Sequence, residues 1–105
     1  MKIKKISVNT PLSHCDAVRY AIGHSGGGKI GKYEYCSFSI RGVGRSKPME
    51  NSQPYIGIIN SVSSVEEEKI ESFCFEENLE AIVTAIKSVH PYEEPAITVS
   101  DIEFY

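Results

Sequence analysis

Leu79, Ile82, Val83, Ile86 and Val89 recur at steps of three and four residues, and the run is cut off by "HPYEEP", residues 90–95. Steps of that size place the five side chains on one stripe of a helix, and such a stripe must be covered by another layer. Pro91 denies His90 the helical region and Pro95 does the same to Glu94, so the helix stops and the chain leaves it extended. A one-sided helix that runs into a stiff extended segment needs a sheet to lie on and a strand to enter. That requirement restricts the chain to architectures with helices packed on a sheet.

The rest of the chain supplies the strands. "KIKKISVN" alternates Ile6 and Val8 against Lys5 and Ser7, the period of a half-buried strand. Thr10 stands where an N-cap would, Pro11 at the first helical position, and Cys15, Val18, Ala21 and Ile22 follow at helical spacing, which predicts a first helix ending near residue 22. The glycines of "GHSGGGKIG" break it into a loop. From Tyr33 to Arg41 the set Cys36, Phe38, Ile40 alternates with Tyr35, Ser37, Ser39, so a second strand with one buried face is expected. "GVGRSKPMENSQPYIG", residues 42–57, has no period and reads as a loop longer than most, of the kind that is functional or mobile. "YIGIINSV" is a further short strand, and "EEEKIESFCF" a strand whose set Glu68, Ile70, Ser72, Cys74 is poor in apolar residues. "AITVSDIEFY" closes the chain as a strand, and a bulge near Asp101 would reconcile Ile97 and Val99 with Ile102 and Phe104. The order is β-α-β-β-α-β with an extra short strand, a ferredoxin-like α+β sandwich formed by one domain over residues 1–105.

Composition narrows the functions. Hydrophobic residues at 41% and charged residues at 24% are those of a globular domain, and no apolar run approaches the ~20 residues of a membrane span. The start "MKIKKISVN" has no apolar block behind it to make a signal peptide, so a cytoplasmic location is expected, with no membrane partner. Cys15, Cys36 and Cys74 are odd in number and form no CxxC, which suits reduced thiols packed as small hydrophobes. A net charge of −3 with scattered Lys and Arg argues against nucleic acid as a partner.

Within "HPYEEP" the stiff backbone holds an imidazole and two carboxylates at fixed spacing, the chemistry of a metal ligand set or of an acid and base pair. His90, Glu93 and Glu94 are therefore candidate metal ligands. Adjacent residues of extended backbone point opposite ways, and one turn without a second histidine is an incomplete zinc set. The alternative is a corner, with His90 ending the helix and kept protonated by the negative end of the helix dipole. Of the two, the residues favour the corner. "GGGKIGK", residues 26–32, matches a phosphate-binding loop in letters, but Tyr33 replaces the Ser or Thr and a strand follows where a helix is needed. "GVGRSK" lacks the third glycine and the following helix of a dinucleotide fingerprint. His14 and His24 flank the first helix ten residues apart and face different ways. No GxSxG elbow frames a serine.

Taken together, "GKIGKYEYCSF", "GVGRSKPMENSQPYIG" and "HPYEEPA", in this order and spacing, resemble the insertion domain of the Ngg-interacting-factor (NIF-three-like) family, itself similar to the trimeric CutA and PII-like proteins. The likeness covers residues 2–100, and the matching positions include Gly28, Ile30, Gly31, Tyr33, Cys36 and His90 through Ala96. Ser46, Asn51, Lys32 and the pair Ile97–Thr98 depart from the family pattern. The resemblance implies a CutA/PII-like fold, a homotrimer and ligand clefts between subunits. It adds Gly31, Tyr33, Cys36 and Tyr92 to His90, Glu93 and Glu94 as candidate ligand contacts. The family's dinuclear metal halves have no counterpart in these residues, so their ligands do not carry over. The expected function is a small stand-alone regulatory or ligand-binding module, with residues 42–57 and the "HPYEEP" corner forming the cleft. A CutA-like divalent-metal binder, with His90 and Glu93 or Glu94 from neighbouring chains and Cys36 as a further ligand, is the second reading. A metal-dependent hydrolase-type enzyme is the third.

Overall fold

The computed structural model describes residues 2–105, so the first position of the expected domain span lies outside the described residues. Four strands and two helices follow in the order β1 (Ile3–Pro11), α1 (Cys15–His24), β2 (Phe38–Ser46), β3 (Ser63–Phe75), α2 (Leu79–Val89) and β4 (Ile97–Ile102), with a 3-10 turn ahead of each helix. The strands form one sheet in the order β2-β3-β1-β4 with every neighbouring pair antiparallel. This is the ferredoxin-like α+β order that the hydrophobic periods predict.

Both helices lie on the same face. Ile6, Val8, Ile70 and Cys74 of the sheet pack with Cys15, Val18 and Ile22 of α1 and with Ile82 and Ile86 of α2 in one buried cluster. Arg19 extends the α1 contact outward by donating to Glu68 of β3 and Ser39 of β2. Among the described residues no helix is long and apolar enough to cross a membrane.

Several local expectations are corrected. Thr10 does not cap a helix: it continues β1 opposite Glu68, and its buried hydroxyl has no partner among the described residues. The ladder to β3 keeps the backbone extended through Pro11, so helical turning starts at Leu12, one residue later than the cap signal implies. The second strand begins at Phe38 rather than Tyr33 and includes Gly42 and Gly44, which the lack of a period places in the loop. Its apolar face is not buried within the chain, since Phe38 and Ile40 are 65% and 51% exposed. The reason is position: β2 is an edge strand, and these two residues pair with Glu71 and Lys69 on the side of the sheet opposite the helices. Residues 47–62 form the long loop, without the short strand expected at "YIGIINSV". No bulge interrupts β4, because Ile97 and Val99 face the helices while Ile102 pairs with Ile3 on the other side, where Phe104 meets Phe73 edge-on at 4.7 Å.

Between α1 and β2 the chain is tied back to β3. Gly28 donates its N–H to the Phe73 carbonyl at 2.8 Å, accepts from Cys36 N–H at 2.9 Å, and Ser72 Oγ donates to the Cys36 carbonyl at 2.7 Å. Gly28 has φ +73° and a Cβ there would lie 2.4 Å from the Cys36 carbonyl oxygen, whereas Gly31, at φ +53°, faces open space. Gly31→Ala should therefore cost only the left-handed backbone strain, about 1 kcal/mol, and Gly28→Ala about 3 kcal/mol because backbone must also move. Urea unfolding of the two variants measures the difference, and equal losses would contradict the close approach.

Candidate functional site

The corner is built around His90. It caps α2 in extended geometry, φ −73° and ψ 134°, and donates its N–H to the Ile86 carbonyl at 2.9 Å, as Pro91 requires. Its ring is turned inward and only 7% of the residue is exposed. Nε2 lies 2.8 Å from the Asn9 carbonyl and Nδ1 lies 3.2 Å from the Tyr92 N–H. A carbonyl only accepts and an amide N–H only donates, so Nε2 carries the proton and Nδ1 is bare: the neutral tautomer. Burial holds the ring's pKa below its ordinary value despite the Asn9 carbonyl and the Glu67 charge, with His14 pushing the same way as burial. The protonated His90 expected from the helix dipole is thus replaced by a neutral one, because desolvation outweighs the helix end.

Each residue after Pro91 then reaches a different element. The Tyr92 hydroxyl donates to Glu67 Oε2 of β3 at 2.6 Å, and burial together with that carboxylate raises its pKa well above the ordinary phenol value. Glu93 Oε1 accepts the backbone N–H of Gln53, 2.8 Å away in the long loop. Tyr55 of that loop lies between His14 and Tyr92, edge-on to the first and tilted against the second, at ring distances of 5.8 and 6.2 Å. The loop and the corner together enclose a cleft of about 660 Å³ at the end of the sheet where β1 finishes and β3 starts. Its floor is Gly44, Val65 and Glu67, and its walls include Met49, Tyr55, Tyr92, Glu93 and Glu94. That volume is within the usual range of small-molecule sites.

The sequence-predicted residues divide. Tyr92, Glu93 and Glu94 line the cleft, and His90 stands behind it as their support. Gly31, Tyr33 and Cys36 do not line it. They belong to the segment tied to Phe73, six residues from Glu67 and so about 20 Å away along β3. Among the described residues no three His, Cys, Asp or Glu side chains converge as a metal set. His90 has both ring nitrogens engaged and Glu93 holds the Gln53 amide, so these residues do not fit a metal in this arrangement. Cys15 and Cys74 are buried in the core, and desolvation pushes both thiols up, away from nucleophilic character. Glu67 and Asn9 were missed by sequence reasoning, which placed Gly44 in the cleft only as part of the 42–57 loop. The only available signal was the alternation of Gly42 and Gly44 opposite Glu67 and Val65, which needs the strand register to be seen.

No family model matches the chain. It is 45% identical over 92 residues to a Halalkalibacterium halodurans protein named GTP cyclohydrolase 1 type 2 homolog, covering 88% of this chain and 25% of that protein. A Listeria monocytogenes protein of the same name is 42% identical over 100 residues, covering 94% and 27%. Among solved structures, a Bacillus cereus protein related to NIF3 superposes with a TM-score of 0.85 at 33% identity, over 98% of this chain and 26% of that one. The Archaeoglobus fulgidus divalent cation tolerance protein CutA superposes with a TM-score of 0.68 at 13% identity, over 98% and 86%. The Bacillus subtilis GlnK–ATP complex gives 0.65 at 13%, over 96% and 82%. The last two share the fold at nearly full length. The chain spans about a quarter of the curated relatives it matches.

Because the folded His90 takes up its proton at lower pH than an unfolded one, its contribution to stability is fully present above about pH 6.5 and is lost as pH falls from there through the ring's lower folded value. His90→Gln, which does not titrate, should start about 2 kcal/mol less stable at neutral pH and lack this part of the acid slope. Denaturant titrations of both proteins between about pH 5 and pH 8 measure the slopes, and parallel slopes would contradict a buried neutral His90.

Proposed function

Because the chain is a CutA/PII-like domain of the NIF3-related family, homologous to about a quarter of the length of its relatives, we propose that it is a small ligand-binding module of regulatory type that acts through the cleft between residues 47–62 and the "HPYEEP" corner. The observation that carries this reading is the joining of two separate family-like motifs into one cavity by Glu93–Gln53, with Tyr92–Glu67 tying the corner to β3. A wall held by hydrogen bonds at both ends is pre-organised, which lowers the ordering cost of capture. The cyclohydrolase activity named for the relatives is not assigned to this segment. That name is carried by proteins about four times as long, and the cleft offers contacts for binding without an activated nucleophile among the described residues.

The module works as a homotrimer in this reading. Phe38, Ile40, Phe75 and Phe104 stand exposed on the side of the sheet without helices, and β2 leaves one edge unpaired. A second copy covers both most simply. Native mass spectrometry of untagged protein is expected to give three subunits carrying additional small-molecule mass, and Phe38→Glu to shift the mass to a single subunit while helical circular dichroism persists. A wild-type monomer without added mass would overturn both parts of the proposal.

A further inference from the structure

The floor of the cleft carries a carboxylate that the fold does not finish using. Glu67 is 9% exposed, and Tyr92 donates to its Oε2. Among the described residues no donor reaches Oε1. That oxygen lies over Gly44, where a Cβ would come within 2.0 Å of it, and both residues line the cavity. Glycine in β2 opposite this stretch of β3 is thus what lets the carboxylate lie flat on the sheet facing the cleft. With most of the residue buried and this oxygen open to the cavity, the carboxylate is placed to accept a donor from whatever the cleft holds. Tyr55 and Tyr92 line the same cavity, and an aromatic lining beside a carboxylate suits a cation. The lining is acidic on balance, with Glu50, Glu67, Glu93 and Glu94 against Arg45 and Lys47.

We propose that the cleft takes a ligand bearing a cationic N–H donor, a primary amine, amidine or guanidinium, which donates to Glu67 Oε1 between the two tyrosines. This rests on the ligand-binding reading above and specifies its chemistry. In the bound state the donor completes the coordination of Glu67, and Gly44 sets the depth at which it sits.

Two-dimensional amide NMR titrations of the intact protein with benzamidine, benzyl alcohol and benzoate test the proposal. Benzamidine is expected to shift the Gly44, Glu67 and Tyr92 amides saturably, with benzoate at least tenfold weaker. Glu67→Gln keeps the side-chain shape and still accepts from Tyr92, and it should weaken benzamidine at least tenfold without changing the melting temperature. Gly44→Ala should give the same loss by displacing the carboxylate. Equal affinity of wild type and Glu67→Gln for benzamidine would overturn the proposal. Saturable cleft shifts with benzyl alcohol or benzoate but not with benzamidine would also overturn it, leaving the ligand-binding reading standing. If no probe moves the cleft amides, both fall.

Discussion

The two hydrogen bonds of the buried His90 ring are the constraint on which the site depends. One joins the end of α2 to the end of β1 through the Asn9 carbonyl, and the other fixes the Tyr92 backbone two residues on. With that ring neutral and both nitrogens occupied, the segment from 90 to 95 has little freedom left beyond its two prolines. Tyr92 is then delivered to Glu67 and Glu93 to Gln53, so a loop of sixteen residues, 47–62, is anchored by a corner of six. Remove the ring and the cleft loses its back wall before any residue that faces the cavity has been touched. Histidine and two glutamates in a stiff turn look like a coordination set, yet here the imidazole is spent on holding the turn.

The glycine-rich and aromatic stretches of this chain thus do two different things at two ends of one sheet. Around Gly28 and Cys36 the chain is sewn to Phe73 by backbone hydrogen bonds, a structural junction that orients the approach to β2. Around Gly44, Glu67 and Tyr92 the side chains are turned toward a cavity. Nothing in the sequence separates these roles, since both stretches are rich in glycine, aromatic and polar residues.

What could be read from sequence was what depends on local period. Ile6 and Val8, the α1 set from Cys15 to Ile22, and Ile82 with Ile86 are all buried where their spacing places them. The set Glu68, Ile70, Ser72, Cys74 does face the helices despite its poor apolarity, with Arg19 covering Glu68 at the rim. What failed depends on neighbours. Alternation in Phe38 and Ile40 reports that one face of β2 is apolar, but only the strand order reveals that this face lies opposite the helices. The extended conformation of Thr10 comes from its ladder to Glu68, against which a cap propensity of about 1 kcal/mol is weak. The corner was legible because two prolines act locally. The cleft was not, because Glu67 and Gly44 meet only through the β2–β3 register.

The central claim is that the corner holds the long loop as a wall of the cleft, and amide hydrogen exchange at Gln53 tests it most directly. That N–H belongs to an exposed stretch of loop, and its hydrogen bond is to the Glu93 carboxylate. Exchange at Gln53 should be slowed in the wild type and fast in Glu93→Ala, while the Tyr92 amide, held by His90, stays protected. A Gln53 amide that exchanges in the wild type as fast as an unstructured peptide would contradict the account, for the loop would then be free of the corner and the cleft would have no fixed wall.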